Sequence, residues 1–148
     1  MTNDEYQTLV AWIAEQPPGQ TAEALHEAFH TPSVAARQLA PRWRVKEELY
    51  CAGQWPALLV AQTHEDPAIA GLAATAVAFL TDGDFENINL DRLEVAGMLD
   101  ALQAAGLLTS ELRATIDALA DAIITPAQSL GIAPRLIDFI RAQREVQS

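Results

Sequence analysis

Proline, and the residue in front of it, limit this chain more than any other feature. Eight prolines are spread over 148 residues, and Thr31-Pro32, Asp66-Pro67 and Thr125-Pro126 each set a capping side chain before the ring. Proline is tolerated in the first turn of a helix and breaks it further in, so this spacing cuts the chain into short helices.

The helical pattern is dense. Residues 3–16 place Leu9, Trp12 and Ile13 on one face, and PPG at 17–19 ends the run. Thr21 is an N-cap for AEALHEAFH, with Glu23 in the first turn. Thr31-Pro32 predicts a short helix through SVAARQL, and Pro41 another through RWRVKEELYCAG, closed by Gly53. Pro56 leads PALLVAQ, and Asp66-Pro67 opens an apolar helix that runs to about Leu80 with a small-residue face. Asp91 is expected to cap RLEVAGMLDALQAA, and Thr109 or Ser110 to cap ELRATIDALADAI. Along this pair Leu93, Ala96, Met98, Leu99, Leu102 and Leu107 share a side, and Leu112, Ile116, Leu119 and Ile123 follow at helical spacing. The short GLLT link makes the two antiparallel. Thr125-Pro126 and Pro134 open the last two helices.

No β-branched run has period two. FENINL has the look of a short strand, but no partner for it is evident. The expectation is an all-α fold, a compact bundle of about seven to eight short helices with a C-terminal antiparallel helix pair. It forms a single domain over 1–148, with a soft lobe boundary near 62–66 where acidity rises.

Charge narrows the function. Residues 1–63 carry 4 basic and 7 acidic residues, and residues 64–148 carry 5 and 13, for a net charge of −11. A field of that sign repels a polyanion, so non-specific nucleic-acid binding is excluded. The longest apolar run, 68–80, is shorter than the roughly 20 residues of a membrane helix. The N-terminus is acidic and reads as neither signal nor transit peptide, and Cys51 is alone, so no internal disulfide forms. No membrane or nucleic-acid partner is expected.

Residues 26–30 spell His26-Glu27-Ala28-Phe29-His30, the H-E-x-x-H pattern of zinc peptidases. There, two histidines one turn apart hold zinc and the glutamate acts on its water. Here Thr31-Pro32 follows at once and turns the chain out of helix. No third ligand is clear, since Glu47, Glu48 and His64 lie well downstream. Glu23, His26, Glu27 and His30 also form the ordinary polar stripe of a surface helix, beside apolar Leu25 and Phe29. The expectation is no metal and no cofactor, with a zinc-dependent hydrolase through His26, Glu27 and His30 as one alternative.

TAEALHEAFHTPSVAARQL resembles a helix-turn-helix in outline, but its turn is too short and its second helix only about seven residues. DGDFENINLD fails the calcium-loop pattern, because Asn87 and Leu93 stand where glycine and glutamate are required. No phosphate-binding or nucleophile-elbow motif is present. The acids are spread as helix faces and caps, so mimicry of DNA lacks a dense row. Arg37, Arg42, Trp43, Arg44 and Lys46 form the one basic-aromatic strip, a candidate interaction surface for an acidic neighbour.

The segment AGMLDALQAAGLLTSELRATIDALADAIITPAQSLGI, followed by an Arg- and Ala-rich last helix, resembles the C-terminal half of small tailed-bacteriophage structural and assembly proteins. The opening helix with Tyr6 and the Thr21- and Thr31-Pro32-headed segments are similar in outline to their N-terminal half. In such proteins an asparagine commonly stands at the position of His30, which makes HEAFH incidental. The resemblance carries no catalytic motif. It implies a non-enzymatic virion component or assembly factor, found in the virion or the host cytoplasm. Such a protein acts through contacts with phage structural proteins or with itself as a homo-oligomer. A second alternative is an acidic phage-encoded inhibitor of a host nucleic-acid-binding protein.

Overall fold

Threonine and aspartate caps place most of the helix starts. A computed structural model describes residues 1–148. In it Thr2, Thr21, Asp66, Thr109 and Thr125 each accept a backbone N–H in the first turn of a helix. These caps satisfy amides that the helix itself leaves free. They begin α1 (Asn3–Ala14), α2 (Ala22–Phe29), α5 (Pro67–Thr81), α7 (Ser110–Ala118) and α8 (Pro126–Leu130). The remaining helices are α3 (Arg42–Cys51), α4 (Gln54–Ala61), α6 (Leu93–Ala104) and α9 (Leu136–Gln147).

The fold is mostly helical, but not purely all-α as expected. Nine helices are joined by four short strands, β1 (Val34–Arg37), β2 (Ala40–Pro41), β3 (Asn87–Ile88) and β4 (Asp121–Ile124). They pair as two separate two-stranded sheets, β1 with β4 and β2 with β3.

Each strand corrects a sequence expectation. SVAARQL is β1 and its flank, not a helix. The Thr31 hydroxyl donates back to the Glu27 carbonyl at 2.8 Å, so it finishes α2 instead of capping a new helix. The Ser33 N–H then bonds the Ile124 carbonyl at 3.0 Å, and the Gln38 N–H the Ala120 carbonyl at 2.7 Å. The helix expected through Ile123 stops at Ala118, and Ile123-Ile124 become strand, with Ile123 exposed. FENINL does have a partner. β3 is antiparallel to β2, with Ala40 opposite Ile88 and Pro41 opposite Asn87. Asp91 does not cap α6. Arg92 holds the N-cap position without a side-chain bond, and Leu93 is 86% exposed instead of packed.

The chain divides into two compact units, Met1–Ala36 with Ala122–Ser148, and Arg37–Asp121. Residues 62–66 do not divide it. They link α4 to α5 inside the second unit, and those two helices pack together. In the first unit α1 and α2 both pack on α9, around Leu9, Ile13, Leu25, Phe29, Ile132 and Phe139. In the second, α3 to α7 enclose a core that includes Val45, Leu49, Trp55, Leu58, Leu102 and Ile116. Ala73 and Ala76 are fully buried on α5, which packs against α4. No helix is long and apolar enough to cross a membrane.

Candidate interaction surface on helix α3

Two residues turn α3. Val45 and Leu49, one turn apart, are 1% exposed each and fix the inward face. Trp43, Glu47 and Tyr50, at i, i+4 and i+7, therefore share the outward face. Trp43 is 63% exposed and Tyr50 66%. Large aromatic rings left in water on one helix face are the kind of surface that anchors a partner.

The cations are organised around these rings. The Arg44 guanidinium carbon lies 5.9 Å from the Trp43 ring centroid. The Lys46 Nζ lies 4.8 Å from the ring of Trp55, which is buried beneath it in α4. Both are cation–π distances. Arg42 Nη1 donates to the Asp82 carbonyl, and the Arg42 N–H to the Glu86 carbonyl at 2.9 Å. These bonds draw the 82–86 loop against the start of α3. Pro41, Arg42, Trp43, Glu86 and Asn87 line a shallow recess between them.

Arg37, the fifth member of the expected strip, is set apart. Its guanidinium holds both carboxylate oxygens of Asp91, Nε to Oδ2 at 3.2 Å and Nη2 to Oδ1 at 2.9 Å. Its Nη1 also reaches Asp121 Oδ1 at 2.6 Å and the Asp117 carbonyl at 2.8 Å. The Arg37 hydrogen bonds hold the Asp91 carboxyl below the usual carboxylate range. Asp91 and Asp121 in turn hold Arg37 more firmly protonated. This claim on its carboxylate explains why Asp91 is not free to cap α6.

The six basic side chains of residues 37–121 fall into two groups. Arg37, Arg92 and Arg113 are paired with carboxylates, Arg113 with Asp100 and Asp117. Arg42, Arg44 and Lys46 pair with none, and all three stand on α3. In a unit so rich in acids, the unneutralised positive charge is concentrated beside two exposed aromatic rings. Tyr50 completes that face and was not singled out in the sequence. Its position seven residues after Trp43 is the signal that marks it.

HEAFH takes another form. α2 ends at Phe29, and His30 is its C-cap. His30 Nδ1 lies 2.9 Å from the His26 carbonyl, so that nitrogen is the donor and is turned to the backbone. The two imidazole centroids are 4.5 Å apart, and the His26 ring stands edge-on to Phe139 at 5.3 Å. Glu27 is exposed. No group of three His, Cys, Asp or Glu side chains is arranged to hold a metal ion. The segment that would form a DNA-recognition helix is β1. In the 82–91 loop, Asp82 Oδ1 accepts the Asp84 N–H and Asn89 Oδ1 the Asp91 N–H, both at 3.0 Å, so two of its side-chain oxygens serve its own turns. Cys51 is exposed and unpaired.

No family model matches the chain, and no curated protein or solved structure matches it either.

Proposed function

We propose that this chain is a non-enzymatic protein that works by holding other protein chains, through the exposed side of α3, where Trp43 and Tyr50 are flanked by Arg42 and Lys46 on one edge and Arg44 on the other. The observation behind this reading is the coincidence of exposed aromatic rings and unpaired cations on one helix of an acidic unit. Rings supply contact area at low entropic cost, and the cations orient an acidic neighbour. The resemblance to small tailed-phage proteins suggests the setting, a virion or its assembly, with the host cytoplasm as the place of action. The rest of the second unit is scaffold in this reading, with α6 and α7 running antiparallel across the short link at Gly106–Thr109.

Native mass spectrometry on untagged protein, purified without chelator or added metal, tests this. A closed oligomer free of metal is the expected result. One zinc per chain, lost on His26→Ala, would instead support a hydrolase and remove the reading.

A further inference from the structure

The chain passes into the second unit at Arg37 and out of it at Asp121. The first unit is therefore made of two stretches far apart in sequence, and the second is an insertion between them. Each has a core of its own, around Phe29 and Phe139 in the first and around Leu49, Leu58 and Leu102 in the second. Domains of about 55–65 residues already fold alone, and the inserted stretch is longer than that.

An inserted unit has a weak point at its base. Its two ends run on into other chain, and ends fray where nothing ties them down. Here they are tied to each other. The Gln38 N–H bonds the Ala120 carbonyl at 2.7 Å, one residue in from either end. Arg37, the entry residue, spans the same gap with its side chain. Its Nη1 donates to Asp121, the exit residue, at 2.6 Å, and to the Asp117 carbonyl at 2.8 Å. Its Nε and Nη2 donate to the two oxygens of Asp91, two residues before α6. One guanidinium thus joins the entry, the exit and the segment that leads into α6.

We infer that Arg37 is a latch at the base of an inserted module, residues 37–121. The module unfolds as a unit of its own, and it keeps α3 in place when the rest of the chain opens. Arg37, Asp91 and Asp121 are all exposed to solvent. A lone ion pair in such a position contributes little. A planar fork that holds two carboxylates and a carbonyl is a network, and a network with bidentate geometry is the case in which exposed charges do stabilise. It also joins residues 54 and 84 positions apart, so opening it frees both ends of the unit at once.

Amide hydrogen exchange of the full chain, read by mass spectrometry across a urea series, tests the latch and the module together. Phe139→Ala weakens the first unit. In that variant α1, α2 and α9 should lose protection at urea concentrations where α4, α5 and α7 keep theirs. If the change opens the first unit even without urea, α4, α5 and α7 should still be protected there. Arg37→Ala should speed the slowest amides of α4, α5 and α7 by about three- to tenfold, and leave those of α1, α2 and α9 within about twofold. Arg37→Lys keeps the charge but not the fork, and should come close to the alanine change. Arg92→Ala removes an exposed pair between neighbours, Arg92 with Glu94, and should leave all of these helices unmoved. Loss of protection in both groups of helices together on Phe139→Ala overturns the inference, because the chain is then one folding unit. So does an Arg37→Ala chain that exchanges no faster than the Arg92→Ala chain.

Discussion

Phe139→Ala is expected to destabilise the unit built from α1, α2, α8 and α9 by about 3–5 kcal/mol. The ring is fully buried and sits at the meeting point of three others. Its centroid is 5.5 Å from Phe29, 6.3 Å from Trp12 and 5.3 Å from His26, each in an edge-to-face arrangement. Such pairs add about 0.5–1.5 kcal/mol beyond area burial, so truncation loses both packing and ring contacts. The cavity cannot close cheaply, because α1 and α2 both pack on α9 around it. Urea denaturation followed by circular dichroism measures the loss. Ile137→Ala on the same helix is the control. That side chain is half exposed, and its removal should cost no more than about 0.5 kcal/mol. Equal losses from the two changes would show that α9 is not the centre of this core.

Trp55→Ala should have an effect of similar size in the second unit, about 3–5 kcal/mol. Trp55 is 6% exposed and packs among the helices that fix α3. It also bears on the surface above, because Lys46 rests over its ring. Trp55→Phe keeps a ring under Lys46 and should lose less stability. A small loss from the alanine change would place Trp55 at the edge of the core and leave Lys46 without a fixed platform.

Four of the cap signals hold because local chemistry decides them. Thr21, Asp66, Thr109 and Thr125 cap the helices expected of them, since a cap needs only a side chain and the next few amides. The strands are illegible locally for the opposite reason. β2 and β3 are too short to show a period, and the partner of each strand lies far along the chain. Leu112, Ile116, Leu119 and Ile123 keep helical spacing on paper, yet pairing with β1 takes the last of them into a strand. Asp91 looked like a cap until Arg37, 54 residues away, claimed its carboxylate. The same pairing divides the expected basic strip. Charge clustering marked Arg42, Arg44 and Lys46, but only the folded chain shows Arg37 to be neutralised and Tyr50 to stand with Trp43.

The most direct test of α3 as a protein-contact surface is site-specific photo-crosslinking in the protein's native cell. A benzophenone amino acid replaces Tyr50, and in a control it replaces Val60, which is 73% exposed on α4. The account predicts a discrete protein adduct from position 50 and little from position 60. Adducts no more frequent from 50 than from 60 would contradict it.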